Sequence, residues 1–332
     1  MTTNIQNTDW RDEPMKMSSE LMGNFGWVGF VLIGLTLGFV LFSGDGFVTN
    51  AYTEGISIII TVVIVNRLAI QRETNEARKR LPRQVGSASH AIAIAAVDEL
   101  RDREWLVGDQ GLLQSRDLRV ANLERADLRR ANLKGADLRW ANLQQATFKN
   151  ATLSGANLSE ANLNGGYMWF TDFRMSVMEK IDLSNAYMYE ADLGWSKLHE
   201  ANLSGAKLVK ANFIAAEMSD INLQGASLLD AFLGGVTLSH ANISNANLRK
   251  ASLIYAYMKN ANLSGADLRV TDLTEADLTG VNLYGCNFNE NTILPDGNLW
   301  TPDTDMTRFT DPEHPDFWRS DDRRSLAYRN DE

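Results

Sequence analysis

The stretch LRVANLERADLRRANLKGADLRWANL, residues 118–143, sets a leucine at every fifth position: Leu118, Leu123, Leu128, Leu133, Leu138 and Leu143. Alanine stands two residues before these leucines, at Ala121, Ala126, Ala131, Ala136 and Ala141, with Asn or Asp between. Continued in the same register, the apolar position recurs 36 times, from Leu118 to Ile293. In an extended chain side chains alternate faces, so Ala at i−2 and Leu at i point one way and Asn or Asp at i−1 points the other. Five is odd, so each repeat needs a bend to keep its apolar pair on the same side. Four right-angle bends would close a square coil of 20 residues, with coils stacked about 4.8 Å apart. A helix would carry successive leucines about 140° around its axis and leave no apolar stripe.

The A-(N/D)-L-x-x unit resembles the pentapeptide-repeat family over residues 116–293. The resemblance implies an all-β solenoid, a right-handed quadrilateral β-helix of about nine coils. Twenty-four of the 35 i−2 positions between Ala121 and Asn291 are Ala, which suits a narrow core. Ile181 and Ile221 are larger exceptions, and each follows a Met, Met178 and Met218. Reading every twentieth residue predicts one core face through Leu123, Leu143, Leu163, Leu183, Leu203, Leu223, Ile243, Leu263 and Leu283.

The flanks divide the chain further. Residues 1–24 form an N-terminal segment. Residues 25–42 are 18 residues without a charge, long enough to cross a bilayer. A second apolar segment, 55–70, suggests that residues 25–70 form a transmembrane helical hairpin. Loop 43–55 holds Asp45 and Glu54 and no Lys or Arg, whereas Arg67, Arg72, Arg78, Lys79, Arg80 and Arg83 follow. Basic residues favour the cytoplasmic side. Both termini and the repeat region, 112–293, are therefore expected in the cytoplasm, beneath a plasma membrane. Residues 71–111 read as a linker, marked by Pro82 and Gly86, and then a capping helix near Ser89–Trp105. In that helix Ile92, Ala96 and Leu100 should face inward, with Ala93 and Val97 beside them. The tail, 294–332, should cap the last coil through Leu299, Trp300, Phe309, Phe317 or Trp318. Its LPDG opening and the stretch to Trp318 resemble the ends of membrane-attached bacterial pentapeptide-repeat proteins.

The sequence offers little chemistry. No Cys/His pair has zinc spacing, no phosphate-binding loop or nucleophile elbow occurs, and Cys286 is the only cysteine. No enzyme activity, cofactor or metal is expected. Outside the core, Tyr167 and Tyr187 at i−1, with Trp169 and Tyr189 at i+1, are each 20 residues apart. Together with Phe170 they form a candidate interaction patch. Gly34 and Gly38 have the spacing of a helix-packing face. The expected role is a membrane-anchored cytoplasmic scaffold for protein–protein interaction. Its partners would be an unidentified protein and the lipid bilayer, with a homo-oligomer compatible and no nucleic acid expected. The family resemblance also implies an alternative, a DNA-mimicking topoisomerase binder. That role needs a strongly acidic rod, and residues 116–293 hold 17 basic against 19 acidic residues. A third reading is a regulatory subunit of a membrane channel or transporter.

Overall fold

The computed structural model describes residues 46–325. Spans 1–24 and 25–42, with Gly34 and Gly38, lie outside the described residues, as does the end of the tail. Residues up to Glu76 form one unit and Ala77–Glu332 a second.

In the first unit the described chain is helical. Helix α1 runs Gly46–Val85, so its last turns belong to the second unit. Residues 46–55, expected as a loop, already lie in α1, and so does the expected linker as far as Val85. Pro82 sits within the helix; the break comes at Gly86. Between Glu54 and Val85, α1 is long and apolar enough to cross a membrane. Ile58, Ile64, Val65 and Ile70 are all more than half exposed. The hydroxyls of Thr61 and Thr74 donate to the carbonyls four residues back (2.7 and 2.8 Å), so neither needs water.

The second unit is built on residue pairs 20 apart. Asp117 bridges to Asp137, Asn122 to Asn142 and Asp127 to Thr147, all in parallel, and the pattern continues along the repeat region. Each repeat supplies one bridged residue, because the rest of its length goes into the bend. The bend is a four-residue turn closed by the i−2 alanine, as in Ala126 N–H to Leu123 O (3.0 Å). Its third residue is left-handed, with φ between +50° and +70° from Val120 to Gly285. Type II turns impose this sign, and a residue with a Cβ is held there at a cost of about 1 kcal/mol.

Backbone pairing offsets that cost. In residues 161–165 Ala161 closes the turn. Asn162 donates to Ala141 O of the preceding coil (3.0 Å). Leu163 and Gly165 donate to Asp182 O and Ser184 O of the next coil (2.7 and 2.9 Å). The fifth N–H, of Asn164, goes to the Asn162 side-chain Oδ1 (3.0 Å). This is why Asn or Asp sits at i−1: it accepts the amide that the coil geometry leaves over. On one face the i−1 amides also bond to each other, as in Asn222 to Asn202 and Asn242 to Asn222 (both 3.2 Å).

Leu and Ala at i and i−2 fill the interior almost without exposure. Where Ile181, Ile221 and Val236 replace Ala, the turn bond stretches to 3.4 Å. At Val236 this happens without a Met, and at Val281 the bond keeps an ordinary 3.0 Å.

The expected register ends one repeat early. Asp272 bridges to Ile293, 21 residues on. Thr292 and Leu294 are the buried pair, Ile293 faces half outward and Asn291 is exposed. Asn289 absorbs the extra residue: its side-chain oxygen accepts the Val270 N–H (2.9 Å), a place usually filled by a carbonyl. Leu283 and Cys286, beside this end, are only partly buried.

Both ends are closed. Helix α2 spans His90–Asp102 and buries Ala93, Ala96, Val97 and Leu100, while Ile92 points outward, contrary to expectation. The inward face runs through 93, 97 and 100, which sets Ile92 beyond its edge. Leu81 and Val85 of α1 join that core. The first coil's amides are satisfied from the cap: Asn122 N–H by Ser87 O (2.9 Å) and Asn132 N–H by Leu106 O (2.7 Å). At the other end Trp300 stacks on Phe288 (5.7 Å), and Phe309, in the short helix α3 (Thr307–Thr310), is buried near Trp318. Leu299 is exposed and Phe317 does not join the core. The tail then returns to the rod: Tyr255 donates to Asp322 (2.7 Å) and Ser325 to the Glu275 carbonyl (2.9 Å).

Leu203→Asp places an unpaired charge in the core and should cost more than about 3 kcal/mol, whereas the outward Ser204→Asp should cost less than about 0.5 kcal/mol. Thermal melting of the two variants checks this. Equal shifts would contradict the inward and outward assignment.

Candidate interaction surface

The aromatic residues singled out in the sequence come together on one face. The i−1 residues Tyr167 and Tyr187 bridge directly, and their rings stack at 5.1 Å and 9°. The i+1 residues Trp169 and Tyr189 follow on the same two coils. Phe170 occupies the left-handed bend (φ 58°) and meets Tyr189 edge to face at 5.7 Å and 87°. The Lys149 ammonium stands 5.5 Å from the centre of the Trp169 ring. All five aromatic side chains are between 36% and 44% exposed, so each ring is partly covered by a neighbour and partly open to solvent. Tyr at 167 and 187 gives up the Asn or Asp oxygen that accepts the i+1 amide in many other repeats, as Asn162 does for Asn164. Ring stacking returns some stability, at about 0.5–1.5 kcal/mol for a pair.

Further exposed apolar groups were not singled out by sequence. Met175 and Trp195 share a corner on adjacent coils and are 63% and 68% exposed. Around the bend from Tyr189, Ile214 and Phe232 line an open groove of about 830 Å³, with Lys210 and Asp230 at its rim. A search of every outward position, i−1, i+1 and i+2, for large apolar residues would have found them.

A second device recurs across the surface. Where the repeat reads D-L-R, the arginine at i+1 folds back on the aspartate at i−1. Arg119, Arg129, Arg139 and Arg269 each donate through Nε and Nη2 to both oxygens of Asp117, Asp127, Asp137 and Asp267, at 2.6–2.9 Å. These bonds hold the carboxyls below their ordinary value, Asp117 at about 2. The clips consume charge locally and leave little net field. Among the described residues no group of three or more His, Cys, Asp or Glu is placed to hold a metal ion. Burial pushes the Cys286 thiol up to about 11, so it remains protonated at neutral pH.

The family model for pentapeptide repeats matches in 8 copies, over residues 113–145, 141–179, 176–213, 216–253 and 251–289. The chain belongs to the pentapeptide-repeat family. Among solved structures it is similar to HetL of Nostoc sp. strain PCC 7120, a pentapeptide repeat protein involved in heterocyst differentiation regulation. That match has 29% identity, covers 54% of this chain and 91% of HetL, and has a TM-score of 0.31. It is also similar to Rfr23 of Cyanothece 51142 (25% identity, 42% and 90% covered, TM-score 0.19). A third similar structure is QnrB1, a plasmid-mediated fluoroquinolone resistance protein (17% identity, 45% and 87% covered, TM-score 0.27). No curated protein matches the chain.

The depressed carboxyls fix a pH dependence. A folded-state pKa below the unfolded value, about 3.9 for Asp, gives stability that is complete above about pH 4 and lost as pH falls toward the folded value. Asp117→Asn keeps the amide acceptor and removes the charge. The variant should melt below the parent at pH 6, and the gap should close between about pH 4 and pH 2. Melting curves across that range, at low and high salt, measure it. A gap that persists at pH 2 would assign the loss to geometry rather than charge.

Proposed function

We propose that this chain is a non-catalytic, membrane-anchored scaffold that presents a rigid pentapeptide-repeat rod to a protein partner. The observation that carries this reading is the outward cluster Tyr167, Trp169, Phe170, Tyr187 and Tyr189 on coils that are bridged to one another in succession. Rings on a stiff support bind with little loss of conformational entropy, which suits them to holding a partner. On this reading the rod is right-handed, has about nine coils and is about 43 Å long.

Membrane anchoring is supported by α1, whose apolar side chains between Ile58 and Ile70 face outward. The span 25–42 would supply the other arm of a hairpin. The basic residues after Asn66 support a cytoplasmic repeat region. DNA mimicry is the weaker reading for this chain. Its rod carries 17 basic against 19 acidic residues, and several of the acids are clipped to arginine.

Two experiments test the proposal. With Cys286 replaced by Ala, cysteines introduced as Gly46→Cys and Ala88→Cys should label differently with a membrane-impermeant thiol reagent in intact cells. Only the first should react; labelling of the second instead would put the rod outside the cytoplasm. For the surface, Trp169→Ser combined with Tyr189→Ser should leave melting unchanged, because neither side chain enters the core. Crosslinks from the rod to its partner in cells should fall by about 2 kcal/mol in apparent affinity, roughly thirtyfold. Unchanged crosslinks with a lowered melting temperature would make the cluster a stabilising stack and nothing more.

A further inference from the structure

The groove beside Phe232 is complementary to its own reversal. Its rim is formed by the left-handed bend residues Glu190, Lys210, Asp230 and Lys250 on successive coils. Phe170 and Val270 extend the same column by one coil at each end, all six with φ between 50° and 63°. The i−1 residues next to them, from Asp172 to Asp272, are bridged coil to coil, so the column advances by about 4.8 Å per residue. Read in order it is Phe, Glu, Lys, Asp, Lys, Val. Set against its own reversal, every acid meets a base and Phe170 meets Val270. The i+1 column across the groove behaves alike. It reads Gly194, Ile214, Gly234, Ile254 in steps of 20, and reversal sets each Gly against an Ile.

The fold does not demand glycine at Gly194 or Gly234, because neither is among the positive-φ residues. A Cβ on Gly234 would meet only the Ile254 carbonyl oxygen, at 3.8 Å, so the chain leaves open space there. Ile214 and Phe232 beside it are 44% and 51% exposed.

We infer that this face docks a second copy of the chain, antiparallel, about a two-fold axis across the rod between the coils of Lys210 and Asp230. That axis keeps each column opposite the same column of the other copy and reverses its order. Glu190 then meets the second copy's Lys250, and Lys210 meets its Asp230, each twice over. Ile214 of each copy fills the space over Gly234 of the other, against Phe232. A parallel pair would set like charge against like at every level, which is unfavourable. A polyanion such as duplex nucleic acid would meet four rim charges that sum to zero. The groove floor adds one acid, Asp192, which Asn212 and Arg174 already engage at 2.9 and 3.5 Å. Within one chain Glu190 and Lys210 stand 3.9 Å apart, so both lie in place for a second partner. A closed pair of this kind is isologous, the commonest form of homodimer. Reversal puts the two first-coil caps at opposite ends of the pair. On the anchored reading, two chains in one bilayer then meet with their rods lying along its surface. Of the aromatic cluster only Phe170 lies on this rim.

The test uses the full-length protein in detergent, with Cys286→Ala throughout. Chains carrying Glu190→Cys and Lys250→Cys, mixed and oxidised, should form a disulfide between the two kinds of chain. Neither kind alone should crosslink, because like positions are three coils apart, about 14 Å, and a disulfide allows roughly 7 Å. In sedimentation velocity, Lys210→Glu combined with Lys250→Glu should weaken dimerisation at least tenfold. Adding Glu190→Lys and Asp230→Lys to that variant should restore it. Gly234→Trp should also weaken dimerisation at least tenfold, with melting unchanged at dilutions where both proteins are monomers. The dimer should weaken as salt rises, since its ion pairs are exposed. A monomer at every concentration, or a disulfide formed by either kind of chain alone, would overturn the inference. So would a dimer indifferent to the charge exchange and to Gly234→Trp, which would assign association to another surface.

Discussion

The stacking hydrogen bond between coils is the interaction on which the rest of the second unit depends. Three of the five amides in a repeat cross to a neighbouring coil, a fourth closes the turn and, where Asn or Asp stands at i−1, a fifth goes to its side chain. That pairing holds non-glycine residues in left-handed conformations at bend after bend. It also allows an interior made largely of Ala and Leu, where there is no room for polar atoms to be left over. Stability in such an array is close to a sum over neighbouring coils. An end without a partner coil is its weak point, which explains the investment in α2, Ser87 and Leu106 at one end and in Trp300 and Phe309 at the other.

The outward positions are freed by the same economy. Because i−2 and i fill the core and i−1 supports the turn, i+1 and i+2 can vary widely without disturbing packing. The D-L-R clips show one use of that freedom and the aromatic cluster another. Where Tyr167 and Tyr187 displace the supporting Asn or Asp, the repeat gives up an amide acceptor for exposed ring area. Phe232 and Tyr257 make the same exchange singly on other coils.

The period of five made the coil, the bend and the inward faces legible from Leu118 to Phe288, since a single register of Ala and Leu admits few alternatives. The amide-accepting role of the i−1 side chain was not legible, because the period says which face a residue takes and not which atom it bonds. The slip at Asn289 was hidden for a related reason: Ile293 fits the count, and only the ladder reveals that Leu294 is the buried residue. The orientation of α2 was misjudged at Ile92 because Ala93, Val97 and Leu100 define the buried stripe. The aromatic cluster was legible from steps of 20, but Met175, Trp195 and the groove beside Phe232 required the corners of the coil to be placed in space.

The covering of the last coil has a consequence for assembly. Stacked coils present the same template at every level, so an open end could accept a coil from a neighbouring molecule and begin a fibre. The inserted residue does not prevent this, because it is absorbed at Asn289 and the ladder resumes, with Leu273 N–H donating to Ile293 O (2.9 Å). What closes the end is the chain itself: Ile293 next bridges antiparallel to Leu299, and Trp300 lies on Phe288. The rod ends by occupying its own next rung.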